Sequence, residues 1–552
     1  MQLTLDSKFC DLYEHPLGRD MIDMLLAKMG TTGWPVDKIG DKRLKSIKRL
    51  GESNVGPAFF NALLDLLNAE QGIPINTEAV PDPAWWKEAV FYQVNPQSFT
   101  QDGIKGIYGK LDYLRNMGVN AVGLSSVCDI RDYFGIAQEY GTVRDVEAII
   151  AGLHKRGMKL IMDLAVNHTS DEHPWFQHAL NNEASPCRDF YFFRKGRGSS
   201  PPNNWTSLSG GPAWNYYPQQ DIWTLSLLSK NQMDLNWESP VLRNEIHRII
   251  RWWLSKGVDG FMFDAVNFIS KFDGLPDGDE FIGGLTKSTG IERYFYGPKL
   301  HGYLRELKQD VFMPYNALFA GAARGIGPMA GRLLSDDYRE ELDLIFNIDH
   351  LEAPGETHPD GSQYDLAHLK NFFMKHLIAD IGHGWHSLLL NSHCNPRMLS
   401  KVDPSGEFAE PLAKMLAVLQ FTLKGTPFIC QGDEIGTRDH DAISWDEIAR
   451  QQEVNESVWR FYQRIIAWRK KTPACVYGAL EFVDAGDERV LCFMRLHDEG
   501  SIIVEVNLTN EIATSVNPEG AVFVLGNYRN LVSEMQPYEA RVYVYYGQNT
   551  VF

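Results

Sequence analysis

Long hydrophobic runs are missing. No stretch of about 18 apolar residues occurs in the 552-residue chain, which excludes a membrane-spanning helix on sequence grounds. An excess of positive charge is missing too. Lys and Arg number 53 against 71 Asp and Glu, a net charge of -18. Nothing is left over to neutralise a phosphate backbone or an anionic bilayer, so neither nucleic acid nor membrane is expected as a partner. The seven cysteines, Cys10, Cys128, Cys187, Cys394, Cys430, Cys475 and Cys492, are scattered and form no CxxC pair. That pattern argues against a zinc site and for buried thiols in a reducing compartment. The opening "MQLTLDSKFCDLYEHP" has no basic region followed by an apolar run. A cytoplasmic location is therefore expected.

What is present falls into three textures. Residues 1–79 carry "GRDMIDMLLAKMG", "DKRLKSIKRLG" and "GPAFFNALLDLLNAEQG", each with apolar residues at helical spacing. They predict a small helical domain of about three helices, a candidate docking or oligomerisation module. A proline-bearing linker, "GIPINTEAVPDPAWW", follows. From there to about residue 473, apolar strands alternate with amphipathic helices: "AVFYQV", "VNAVGLSSV", "MKLIMDLAVNH", "VDGFMFDAV", "YNALFAG", "LDLIFNI", "HSLLLNSH" and "TPFICQGDE". Strands without polar alternation belong to a parallel sheet covered on both faces. About eight of them close naturally as a (β/α)8 TIM barrel. The region 170–232, with "PPNNWTSLSGGPAWNYY", lacks periodicity and reads as an inserted B domain after the third strand. Its Trp and Tyr residues read as domain packing before sugar platform. Residues 474–552 alternate as short strands, an expected C-terminal antiparallel β-sandwich.

Strand ends of such a barrel aim side chains at one mouth. The ends here carry Asp163, Asn167 and His168 on strand three, Asp264 on strand four, Ala322 on strand five and "NSHCNPR" after strand seven. With "WWKEAVFYQV", "GMKLIMDLAVNHTSDEHPWF", "MDLNWESP", "GLPDG" and "KGTPFICQGDEIG", the chain from about Trp85 onward resembles glycoside hydrolase family 13, the α-amylase family, in its oligo-1,6-glucosidase and α-glucosidase branch. Residues 1–79 lie outside the resemblance.

The resemblance implies sugar-binding roles for Asp129, Asp163, His168 and His393, and places Asp264 at the nucleophile. It also implies losses. The arginine two residues before the nucleophile is Met262, the acid/base glutamate is Ala322, the hydroxyl-clamping aspartate is Cys394, and the stacking tyrosine is Cys128. A retaining glycosidase needs two carboxyl groups about 5 Å apart. With one missing, Asp264 is expected to be inert, and without a cation at Met262 harder to ionise in a closed pocket. No cofactor or metal is expected. The reading is a degenerate α-glucosidase-like protein that binds an α-glucoside or oligosaccharide, or scaffolds a homo- or hetero-oligomer through its N-terminal helices. The alternative is an active hydrolase or transglycosylase whose acid/base has moved, to Asp129, Asp132, Glu139 or Glu434.

Overall fold

The computed structural model describes residues 2–28, 39–50, 53–55, 57–68, 83–125, 128–351, 364–379, 383–392, 395–439 and 443–545. Eight parallel strands form its centre: β1 Phe91–Val94, β2 Ala121–Leu124, β3 Lys159–Ala165, β4 Gly260–Asp264, β5 Leu318–Ala322, β6 Leu344–Phe346, β7 Ser387–Leu389 and β8 Thr426–Cys430. Neighbours pair in the order β6-β5-β4-β3-β2-β1-β8-β7, and a parallel bridge from Ile345 to His386 closes the ring. Every residue of β2, β6 and β8 is buried. That is why these strands carry apolar side chains on both faces: one face fills the barrel, the other meets a helix.

The helix Val143–Lys155 shows how the outer ring is specified. Thr142 and Asp145 form a capping box at its start. Val146, Ile149, Ile150 and Leu153 lie on one stripe and are buried. After β3 the chain leaves the barrel. His168–Ser170 pairs antiparallel with Gln232–Asp234. Between them Phe193–Arg194, Ile222–Leu225 and Trp214–Tyr217 make a three-stranded sheet. Trp205 and Trp214 are buried there in a small core shared with Ala265 and Phe268 from the loop after β4. These aromatics pack the domain. At the other end, five antiparallel strands follow in the order Ala479–Val483, Val490–Leu496, Ser501–Asn507, Ala540–Tyr545, Val522–Gly526, with Ala513–Thr514 and Glu534–Met535 as a two-stranded companion.

The N-terminal residues form helices Phe9–Glu14, Pro16–Lys28 and Pro57–Leu67. The stretch "DKRLKSIKRLG" does not form the expected helix. It is a single 3-10 turn, Leu44–Ser46, running into a two-residue strand, Arg49–Leu50. The N–H groups of Leu44 and Lys45 are taken by the carbonyls of Ser7 and Leu5, so tertiary pairing overrides an apolar spacing too short to decide by itself. The helices dock on the rim of their own barrel. Phe59 stands edge-on to Phe281, ring centroids 5.6 Å apart. Arg293 pairs with Asp65 at 2.9 Å. Asp20 accepts the N–H of Ala330 at 2.9 Å. A Cβ on Gly327 would fall 2.5 Å from the Asp20 carboxyl carbon, so this approach needs glycine.

Candidate active site at the barrel mouth

A cavity of about 720 Å³ opens at the C-terminal ends of the strands. Asp163, His168, Met262, Asp264, Ala322 and Arg324 line it, with Gln93, Ser125 and Ser392 among the other polar groups. Strand register brings Asp163, Met262, Asp264 and Ala322 together. On β4, Met262 pairs with Asp163 of β3, and Asp264 pairs with Ala165. On β5, Gly321 pairs with Phe263 and Ala322 with Phe346. Ala322 therefore stands level with Asp264 on the adjacent strand. The residue after Asp264, Ala265, adopts φ 50 and ψ 36. This left-handed conformation costs a side-chain-bearing residue about 1–2 kcal/mol and marks a tight turn directly behind the carboxylate.

His168 is 2% exposed. The Gln232 amide lies 3.0 Å from its Nε2, which leaves the ring proton to Nδ1. Nδ1 is sealed from water and has no hydrogen-bond partner among the described residues. Burial lowers the imidazole below its ordinary value, against the pull of Asp234 and Asp264. It is a neutral donor at neutral pH. Asn167 turns out to be a structural residue. Its amide donates to Asp234 at 3.1 Å and its oxygen accepts from Lys271 at 3.0 Å, while Lys271 pairs with Asp234 at 2.8 Å, all three buried. Asp234 also accepts the N–H of Leu227 at 2.6 Å. The network ties the base of the B domain to the loop after β4.

Several expectations change. Asp264 is exposed at the cavity wall, so the closed pocket assumed for it is absent. Arg397 of "NSHCNPR" turns away from the mouth to Asp433, 3.1 Å away. Burial pushes the Asp433 carboxyl up to about 7, with Arg397 pulling the other way. His393 and Cys394 lie outside the described residues, as do the side chains of Cys128 and Asp129. Of the substitute acids, Asp132 and Glu139 do not line the mouth. Asp132 accepts the N–H of Phe134. Glu434 is fully buried and accepts the hydroxyls of Tyr92 at 2.8 Å and Tyr113 at 2.7 Å. Burial raises its carboxyl, and it too is absent from the lining. Arg324 is the residue the sequence reading missed. It is exposed in the mouth, and its guanidinium engages no carboxylate among the described residues. Its only sequence signal was a lone cation two positions after Ala322.

Comparison with known proteins matches this arrangement. The model of the α-amylase catalytic domain matches residues 90–460. The oligo-1,6-glucosidase of Parageobacillus thermoglucosidasius is 33% identical over 556 residues, covering 83% of this chain and 98% of that protein. The trehalose-6-phosphate hydrolase of Bacillus subtilis is 36% identical over 386 residues, 66% of each chain. Among solved structures, the trehalose-6-phosphate hydrolase of Bacillus licheniformis superposes with a TM-score of 0.77 at 26% identity, over 84% of this chain and all of that one. The trehalulose synthase of Pseudomonas mesoacidophila MX-45 does so with 0.76 at 30%. An eight-stranded parallel barrel, an insertion after β3 and an Asp264 at the end of β4 are thus found in a chain that belongs to the α-amylase family, glycoside hydrolase family 13, in its oligo-1,6-glucosidase and α-glucosidase branch.

Proposed function

We propose that this chain binds α-glucosides at the barrel mouth and has no appreciable hydrolase activity on unactivated ones. One observation carries the reading. The only carboxylates lining the mouth among the described residues are Asp163 and Asp264, and the strand position level with Asp264 holds Ala322. Asp264 can attack an anomeric carbon, but among the described residues no second carboxyl group stands across from it to protonate the leaving oxygen. General acid help is worth about 10²–10⁴-fold. Met262, in register with Asp163 and two residues before Asp264, is an uncharged side chain and adds no electrostatic stabilisation to the transition state. Sugar binding survives these changes. Sugar hydroxyls can still be met by the polar side chains that line the mouth, Asp163, Asp264, Gln93, Ser125 and Ser392.

The test is turnover of maltose, isomaltose, an aryl α-glucoside and α-glucosyl fluoride by the purified protein, beside Asp264→Asn. No turnover of the first three is expected. Fluoride is a leaving group that needs no acid, so its cleavage alone fits an Asp264 that still attacks. Turnover of isomaltose on the order of 1 s⁻¹ that disappears in Asp264→Asn would refute the reading.

A further inference from the structure

A second cavity, about 270 Å³, lies between the N-terminal helices and the barrel rim. Leu17, Met21, Met24, Leu25, Leu63 and Leu66 wall it from the N-terminal side, and Phe268, Ile282, Ile291 and Phe295 from the barrel side. It shares Leu208, Phe268 and Arg324 with the mouth. The two spaces are therefore separated by one layer of side chains. Leu208 is 41% exposed and Arg324 is exposed too, so two of those three side chains can swing into solvent without breaking a core. Seven of the nineteen residues that line the chamber come before position 90, where the match to the catalytic-domain family begins.

We propose that this chamber takes the apolar aglycone of an α-glucoside whose sugar sits in the mouth. The proposal rests on the α-glucoside reading above and names the ligand's second half. Three features fix its chemistry. The volume exceeds that of an apolar protein cavity known to hold a single benzene ring, about 150 Å³, and suits one or two rings. Two methionines in the wall adapt to irregular shapes and favour aromatic faces. The two acids at the chamber, Asp20 and Glu292, disfavour an anionic guest. Asp20 is already held by the N–H of Ala330, and Glu292 by the N–H of Asp279, while Glu292 Oε2 is buried without a partner. Arg324 is the one cation in the wall, and it stands where the chamber meets the mouth. The rest of the wall is largely apolar apart from the two acids, so a neutral phenol-derived or terpene-like aglycone fits its depth better than a phosphate or carboxylate.

The experiment is calorimetric titration of the full chain with non-hydrolysable 1-thio-α-glucosides, methyl and 1-naphthyl, and with free 1-naphthol. The naphthyl thioglucoside should bind at least tenfold tighter than the methyl one. Filling the chamber by Met21→Trp, with Met24→Trp as a second variant in case the first folds poorly, should bring the ratio of the two affinities close to one. A ratio within about threefold in the unmodified protein overturns the proposal, as does a large ratio that survives both tryptophans. The sugar reading fails in a different way: 1-naphthol binds, the tryptophan variants abolish that binding, and neither glucoside binds better than naphthol alone. That result leaves an apolar chamber with no glucoside and overturns the proposal along with the reading.

Discussion

A carboxylate at position 322 would stand on a strand end already in register with its neighbours, Gly321 opposite Phe263 on one side and Ala322 opposite Phe346 on the other. Adjacent strands lie about 4.8 Å apart. That is close to the roughly 5 Å between the two carboxyl groups of a retaining glycosidase. The backbone frame therefore suits an acid at this position, and its introduction can be tested residue by residue. Ala322→Glu alone is expected to give no measurable turnover of an aryl α-glucoside, because position 262 still lacks a cation and position 394 a carboxylate. The triple variant Met262→Arg, Ala322→Glu, Cys394→Asp is expected to raise kcat/KM by at least the 10²-fold lower bound for an acid/base, and Asp264→Asn on that background should abolish the gain. If Ala322→Glu alone matches the triple variant, the other two positions are dispensable. At this scale the sequence was most informative about identity and least about role. "DLAVNH" located Asp163 and His168, which line the mouth. It could not show that Asn167 faces a buried Lys271–Asp234 pair, because those partners come from segments 67 and 104 residues away.

Elements with a strong period were legible and elements held by tertiary pairing were not. The eight barrel strands stood out because burial on both faces leaves no polar alternation to confuse them. "DKRLKSIKRLG" misled because Leu44 and Ile47, three residues apart and both buried, fit a 3-10 turn as well as a helix. Nothing local announced that Asp20, on one N-terminal helix, would meet the start of another helix, Pro328–Ser335, just after β5. That contact makes a prediction in pH. Burial pushes the Asp20 carboxyl up to about 6, with the N–H groups of Ala330 and Met329 pulling down. Its folded value lies above the ordinary 3.8. The native state then keeps a proton that the unfolded chain has lost, and stability falls as pH rises from about 4 to about 6. Asp20→Asn should flatten that part of the profile, read as the difference in Tm between variant and unmodified protein. Subtraction removes the separate slope from Asp433, whose carboxyl sits at about 7. Below about pH 4, where Asp20 is protonated in both states, Asp20→Ala should cost about 1 kcal/mol, the usual loss of a helix cap, and that cost should shrink as pH rises towards 6. An Asn variant with an unchanged slope would show that Asp20 is not the titrating group.

At the scale of the whole molecule the N-terminal unit decides what kind of object this is. Its helices bury Leu17, Ile22, Leu25, Phe59, Phe60 and Leu63 in the same continuous core as the barrel. On the barrel side Ile282, Ile326 and Ala330 are buried in that core too. Fully burying one such Leu, Ile or Phe is worth about 1.5–3 kcal/mol. Six of them outweigh the ion pair of Arg293 with the half-exposed Asp65, which in water is worth about 0–1 kcal/mol. The apolar face is thus spent on the chain's own barrel, and a partner protein would have to use another surface of these helices. Two measurements separate this from a detachable assembly module. Phe59→Ala in the full chain should cost about 3–5 kcal/mol, seen as a lower Tm, with the elution volume on size exclusion unchanged. A chain starting at Ala84 should expose the uncovered rim, bind a hydrophobic dye and self-associate, because apolar patches beyond a few hundred Å² rarely stay free on a soluble monomer. A truncated chain that stays monodisperse at the same oligomeric size, keeps the original Tm and binds no dye would mean that the rim does not depend on the helices, and would also rule out an assembly role for them.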